Sequence, residues 1–477
     1  MIVLWVILAL LVAFLCVIFI RAALFKPVRA EECPAEEVTF NREKAVCSLG
    51  ELVRCRTVSY RDSALEDGAE FGKLIGMLPA LYPNVYRACS FDRLPDRALL
   101  FRWPGKNHDA PSVMMAHFDV VPVEESEWTK PPFDALIENG VMWGRGTLDT
   151  KVTFNGILSA ADALIAQRFV PENDIYFAFS GGEEIWGPGA ANIVAYFKKH
   201  GIVPALVADE GGAVTEKVFP GVKEPCGFIG IAEKGILNLE YSIASEGGHA
   251  SAPAAHTPVG ILSRACCRVE SHPFPAHLTK PAAEMLDTLG RRSTFGMKLV
   301  LANLWCFGGL FQAVCKKSEL LNALMRTTVA FTMMSGSKVA NVIPPSASMV
   351  SNIRLNPEDT VASATEYLRR TIGDGRVKIT NLGGMDPSPI SETNCPAWQK
   401  VANAVSGTWK GTVVSPYLMV QCSDSRHYAG LSDHVYRFSA MDLTDEERKT
   451  IHGNDEHIRL ETVERAVEFY IRLMKQC

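Results

Sequence analysis

This chain has no basic excess. Its 48 lysines and arginines are outnumbered by 53 aspartates and glutamates, for a net charge of -5. It therefore carries no electrostatic footprint for nucleic acid, which is set aside as a partner. Internal repeats and low-complexity tracts are also missing, which excludes a solenoid and a disordered chain. Nor is there a cysteine framework: the 13 cysteines are scattered, and an odd number cannot all pair internally, which agrees with a reducing compartment. Hydrophobic residues at 48% and charged ones at 21% describe an ordinary globular protein. At 477 residues the chain is too long for one hydrophobic core, so two or three domains are expected.

Residues 2 to 20, IVLWVILALLVAFLCVIFI, lack both charge and proline, and about 20 helical residues at ~1.5 Å each cross a hydrocarbon core of about 30 Å. No basic stretch precedes this run and no convincing small-x-small cleavage site follows it. The sequence thus predicts an uncleaved single-pass membrane anchor over residues 1–27 rather than a signal peptide. Arg21, Lys26 and Arg29 follow the span, and the positive-inside rule would hold the C-terminal bulk in the cytoplasm. So few charges leave the side of the membrane open. A second apolar stretch, FGMKLVLANLWCFGGLFQAV from Phe295, contains Lys298, Asn303 and Gln312. Those side chains are costly at membrane depth, so the stretch is read as a buried or interfacial lid helix.

From residue 38 to 232, short apolar runs such as SVMMA, DIYFAFS and ALVA alternate with helical patterns such as Thr150 to Gln167. Such alternation predicts βαβ units and a mostly parallel sheet covered by helices. Ligands of such sheets bind beyond the carboxyl ends of the strands. The texture changes at Glu233: ILNLEYSIAS alternates, and HTPVGILSRACCRV reads as a helix capped by Thr257 with Pro258 at its first position. Residues 233–384 are expected to form an inserted α+β lid domain. Residues 385–477 then return to the first domain and finish on an amphipathic helix, roughly Leu460 to Lys475. The predicted fold class is α/β, with this insert and an N-terminal transmembrane helix.

Acidic residues gather where such a sheet binds ligands. SVMMAHFDV ends in His117 and Asp119, DIYFAFSGGEE in Glu183 and Glu184, and ALVADEGG in Asp209 and Glu210, while WGRGTLDTK sets Asp149 in a turn before a helix. Each alone has an ordinary explanation, since strand ends are often polar and an aspartate before a helix is an N-cap. Together they place enough negative charge at one edge to repel itself without a cation. Imidazole mixed with carboxylate suits zinc, with manganese or cobalt as alternatives. A bridging carboxylate can hold two such ions about 3.5–4 Å apart to activate a shared water.

In order along the chain, HFDVVPV, WGRGTLDTK, SGGEEIWGPGA, ADEGG, EGGHASAP, NVIPPSASMVSNIRLNP, SDSRHY and HGNDEHI resemble the landmarks of the metallopeptidase family of aminoacylase, carboxypeptidase G and carboxypeptidase S. The apolar insert and the anchor are most similar to the carboxypeptidase S branch, which includes the N-fatty-acyl-amino-acid hydrolases. The resemblance implies two zinc ions per subunit, with His117 and Asp209 on one, Glu184 and His452 on the other, and Asp149 bridging both. It favours Asp209 over Glu210 in the DEGG motif, places Asp119 behind His117, and makes Glu183 the proton carrier. It also implies a homodimer through the insert, in which His249 of GGHAS reaches a neighbouring subunit's site as an oxyanion donor. Asn341, Arg354 and Arg426 fall where the family binds substrate, and an arginine fork suits a free carboxylate.

The expected activity is hydrolysis of the amide bond of a peptide or N-acyl amino acid, releasing an amino acid with a free carboxylate. Whether the substrate is a dipeptide, a longer peptide or a fatty-acyl amino acid stays open at this level. Two other readings stand beside it. A catalytically silent, membrane-tethered binding protein could use the same fold, but every ligand position and Glu183 are filled. A two-metal aminopeptidase would need an acidic subsite for a free amine, and the arginines speak against it.

Overall fold

The computed structural model describes residues 1–27, 37–216, 219–316 and 318–477. Arg29, one of the three basic residues after the apolar run, lies outside the described residues. Eight strands form the main sheet, in the order Ser90–Leu94, Ala98–Trp103, Asn173–Ser180, Asn107–His117, Leu206–Thr215, Val435–Leu443, Cys226–Glu233 and Val413–Met419. Asn107–His117 runs parallel to both its neighbours, and Leu206–Thr215 runs parallel to Val435–Leu443. An antiparallel hairpin, Ser90–Leu94 with Ala98–Trp103, closes one edge. In Asn173–Ser180 every residue from Asp174 onward is buried. Burial on both faces is why DIYFAFS is a continuous apolar run rather than an alternating one.

Helices Lys151–Ala166 and Leu460–Met474 cover one face of this sheet, around Leu99, Phe101, Met114 and Phe177. Gly189–His200 covers the other, over Val113, Met115 and Tyr176. Leu460–Met474 buries Val463, Ala466, Val467, Tyr470 and Met474, the three- and four-residue spacing of one helical face. It meets the first helix at Gly156, where a Cβ would come 3.1 Å from the Tyr470 ring, so the close approach requires glycine. Phe154 is fully buried against Phe118 and Phe179 and anchors the helix that follows Asp149; its truncation to alanine costs about 3–5 kcal/mol. The Lys151 ammonium donates to the carbonyls of Leu52 and Cys55 at 3.0 and 2.7 Å, and burial pushes its pKa down to about 8.

A second sheet, Thr328–Ser335, Ser346–Leu355, Gly235–Ala244 and Lys378–Met385, is antiparallel throughout. Helices Pro258–Ser271 and Val361–Ile372 pack on it around Leu239, Leu262, Ile353 and Leu368. Thr257 caps the first of these helices, its side chain accepting from the Gly260 N–H. The amphipathic helix Lys280–Arg292 and the apolar helices Phe295–Leu301 and Leu304–Cys315 belong to a different core. They pack with Phe228, Val413 and Leu418 at the edge of the main sheet. The stretch expected as one lid helix is therefore two helices, broken at Ala302 and Asn303. The N-terminal helix Ile2–Leu24 is, by length and composition, able to cross a membrane.

Candidate metal centre and active site

Three parallel strands deliver their carboxyl ends to one edge: Asn107–His117 brings His117, Asn173–Ser180 leads into the Glu183–Glu184 turn, and Leu206–Thr215 carries Asp209 and Glu210. Asp149 arrives from the turn before Lys151–Ala166, and His452 from the loop after Asp445–Thr450.

Asp149 sits at the centre. Its Oδ1 lies 2.9 Å from His117 Nε2 and its Oδ2 lies 3.0 Å from His452 Nε2. Glu184 Oε1 is 3.2 Å from the same His452 nitrogen, but it is buried and not aligned for a hydrogen bond. Glu210 Oε1 is 3.5 Å from His117 Nε2. His117 Nδ1 faces the Asp119 carbonyl at 3.0 Å. A carbonyl can only accept, so Nδ1 carries a proton and Nε2 is the nitrogen aimed at carboxylates. That contact is repulsive unless the imidazole is doubly protonated or a cation stands between the two.

The electrostatics show the same excess of acid. Burial pushes the carboxyls of Glu183, Glu184 and Glu210 upward, and neighbouring acids reinforce it: Asp424 for Glu183, Asp149 for the other two. Burial alone would lower His117, yet Glu210, Asp119 and Asp149 hold it well above the usual imidazole range. The carboxylates of Asp149 and Glu184, 3.0 and 3.2 Å from its Nε2, raise His452 to about 10. Burial would raise Asp149 too, but hydrogen bonds from the two histidines hold it below the usual carboxylate range.

The donor set fits cations. His117, Asp149 and Glu184 offer ligand atoms within 4.8 Å of one another, as do His117, Glu183 and Glu210. Asp149, with one oxygen toward each histidine, has the disposition of a bridging carboxylate.

Two buried acids hold the cluster in place. Asp119, fully buried, accepts from the backbone N–H of Glu183 at 3.1 Å and of Glu184 at 3.2 Å, and from Ser59 Oγ at 2.6 Å. It thus orients both the glutamate turn and His117, as its place beside the histidine suggests. Glu456 does the same for Asp149, accepting from the Leu148 and Asp149 N–H groups at 2.7 and 3.2 Å while pairing with Arg145 at 2.7 Å. Sequence reasoning missed Glu456; its one signal is its place in HGNDEHI, four residues after His452. His452 and Trp186 have left-handed backbone, φ 59° and 64°, uncommon for residues other than glycine and concentrated at functional sites.

Other candidates land differently. The two acids of the DEGG motif, of which Asp209 is the expected ligand, face different ways. Successive strand residues point to opposite faces. Asp209 Oδ2 accepts from the Ser425 N–H at 2.8 Å, while Glu210 turns to His117. Arg426 does reach the site, but it is not an open fork. Its Nη1 donates to the Ser423 carbonyl at 2.9 Å and lies 3.6 Å from Glu183 Oε1, its Nη2 is 3.5 Å from Asp424 Oδ1, and its guanidinium sits over the Trp186 ring at 4.4 Å. Asp424 and Trp186 were also missed: only the fold brings Asp424 to Glu183, while Trp186 follows Glu183 by three residues in the same turn. Arg354, on the second sheet, donates to Cys422 Sγ at 3.5 Å, next to the segment that carries Arg426. His249 and Asn341 are exposed and lie together on a two-stranded ribbon in which Gly248–His249 pairs with Val342–Ile343 and Ala250 N–H donates to the Asn341 carbonyl. Neither touches the Asp149 cluster of its own chain among the described contacts.

Fold and cluster together define an amide hydrolase of the metallopeptidase class. The chain belongs to peptidase family M20/M25/M40, whose model matches residues 113–476. It is 33% identical over 478 residues to the N-fatty-acyl-amino acid synthase/hydrolase PM20D1 of Xenopus tropicalis, covering 98% of this chain and 93% of that one. It is 32% identical over 435 residues to a probable carboxypeptidase S-like protein of Dictyostelium discoideum, covering 90% and 84% of the two chains. Among solved structures, an M20 family metallo-carboxypeptidase from Sulfolobus solfataricus shares the fold with a TM-score of 0.68 at 17% identity, covering 90% of this chain and 98% of its own.

Proposed function

We propose that this protein hydrolyses the amide bond of a peptide or N-acyl amino acid, releasing an amino acid with a free carboxylate, with two zinc ions per subunit. Manganese or cobalt are the alternative occupants. One observation carries the reading: Asp149 presents one oxygen to each of two histidines, while Glu183, a further half-buried acid, forms an ion pair with neither among the described contacts. His117, Asp149, Glu184, His452 and an acid of Leu206–Thr215 hold the pair, and in this geometry Glu210 is the nearer acid. Bound there, such ions lower the pKa of a water and polarise an amide carbonyl.

The chain's own groups do the rest. The Glu183 carboxylate takes a proton from the attacking water and returns it to the departing amine; its raised proton affinity suits both halves of that task. Asp119 fixes the peptide N–H of Glu183, and Arg426 lies against its carboxylate, so the proton carrier has one orientation. Arg354, whose described hydrogen bond is to a weak sulfur acceptor, is the arginine with capacity for a substrate carboxylate. His249 and Asn341, absent from their own chain's cluster, serve the site of a second subunit in a homodimer built through residues 233–384. Ile2–Leu24 is retained as a single-pass anchor.

The test is a substrate panel on the full-length protein: dipeptides, acetylated amino acids and long-chain acyl amino acids. Hydrolysis of at least one class is expected, with loss on chelation, and loss in Glu183→Ala with metal still bound. Activity that survives both changes overturns the mechanism.

A further inference from the structure

The anchor helix is joined to the folded body along its last three turns. Of the 23 residues in Ile2–Leu24 only Ile18 and Ala22 are buried, one turn apart on one face. The break between the two apolar helices covers that face. Asn303 Nδ2 donates to the Ile18 carbonyl at 3.1 Å, and Arg21 Nε donates to the Ala302 carbonyl at 3.0 Å. Phe14 meets the Trp305 ring edge-on at 5.8 Å, and Phe19 lies 6.2 Å from Phe295. Just beyond the helix, Arg291 covers the Phe25 ring and donates to the Lys26 carbonyl.

This register sets depth. Phe14 lies seven residues before Arg21, roughly 10 Å along the helix axis. If the helix crosses a bilayer with Arg21 at the headgroup boundary, Trp305, level with Phe14, lies well inside the hydrocarbon of the same leaflet. The side chains there suit that solvent: Phe295, Trp305 and Leu310 are 50%, 59% and 59% exposed. Of the polar groups in this stretch, the Asn303 amide is already satisfied, and Lys298, seven residues before Trp305, is half-buried. Asn303 is fully buried, its amide donates to Ile18 and Leu299, and its oxygen accepts the Trp305 indole N–H at 3.2 Å. Exposed Gln312 and Lys316 mark where the second helix regains polar surroundings.

We infer that Phe295–Leu301 and Leu304–Cys315 form an interfacial platform inserted into the leaflet next to the anchor, with bilayer acyl chains as the occupant of its exposed apolar face. The inference rests on the retained anchor proposed above, not on the amide chemistry. It reaches the active site through packing: Phe311 and Leu301 share a core with Val413 and Leu418. Those residues belong to the strand Val413–Met419, which runs on toward the Ser423–Arg426 segment. The body is thereby held at a fixed attitude to the lipid surface, and amides that partition into the bilayer meet the enzyme at that surface.

The experiment uses full-length protein in phosphatidylcholine vesicles whose acyl chains carry bromine at known depths. Tryptophan emission of the unsubstituted protein is compared with that of Trp305→Phe and Trp5→Phe, the second reporting the anchor itself. The expected result is loss of the Trp305 component to bromines within the acyl region, alongside quenching of Trp5. Quenching of Trp5 without Trp305 overturns the platform and leaves the anchor; quenching of neither overturns both. Since Trp305 also packs on Phe14, a nitroxide on Leu310→Cys gives an independent reading. It should be accessible to oxygen and shielded from a water-soluble nickel chelate, and the reverse pattern contradicts the platform.

Discussion

The Asp149 cluster and the His249 ribbon both carry histidines, and they are built in opposite ways. Around Asp149 the carboxylates are half-buried, and the fully buried Asp119 and Glu456 clamp the turns that present them. On the ribbon, His249 is exposed, and its described side-chain partner is Ser251, two residues away. Chemistry that needs fixed charges sits at the end of a rigid sheet, where neighbours over-determine each side chain. The trans role proposed for His249 would suit a group that stays loose until another site arrives.

The sharpest break in the comparison is Glu183→Gln. Removing the proton carrier should lower kcat by about 10²–10⁴-fold while metal content, read by mass spectrometry, stays unchanged. His249→Ala should lower kcat by about 10²–10³-fold if it supplies an oxyanion donor. Mixing that variant with Glu183→Gln subunits should restore activity, because the hybrid dimer holds one complete site; a mixture that stays inactive removes the trans role. The clamps come next. Asp119→Asn and Glu456→Gln should each cost about 10–100-fold in metal affinity or activity. In the same assay Glu210→Gln should weaken metal binding more than Asp209→Asn, and the reverse order would return the ligand role to Asp209.

The smallest effect lies at the joint between the sheets. Lys234, buried where Cys226–Glu233 passes to Gly235–Ala244, donates to the Ala323 and Arg326 carbonyls. Burial lowers its pKa from 10.5 to about 7. The unfolded chain therefore binds more protons between those values, and stability should rise as pH climbs through that window. Lys234→Met should flatten the rise in urea midpoint between pH 7 and 9; an unchanged slope contradicts the assignment.

Much of the cluster was legible because parallel strands end at one edge, so His117 and the Glu183–Glu184 turn could be placed from strand ends and Asp149 from its turn before a helix. The choice within Asp209–Glu210 was not, since it depends on which face of the strand each acid takes, a phase that one slip reverses. Arg426 was visible as a charge, but its neighbours Trp186 and Glu183 come from another loop, so its commitment to them was hidden. The helices Phe295–Leu301 and Leu304–Cys315 announced themselves as apolar. Pattern alone says that a face is covered and not what covers it, and here the cover is the main-sheet edge together with the anchor.

The central claim is a two-cation cage spanning His117 to His452, and bound metal per chain tests it most directly. Full-length protein should retain two transition-metal ions, with His117→Ala and His452→Ala each losing about one and both losing amide hydrolysis. A chain that retains no such metal, or that hydrolyses amides equally well after stripping, contradicts the account.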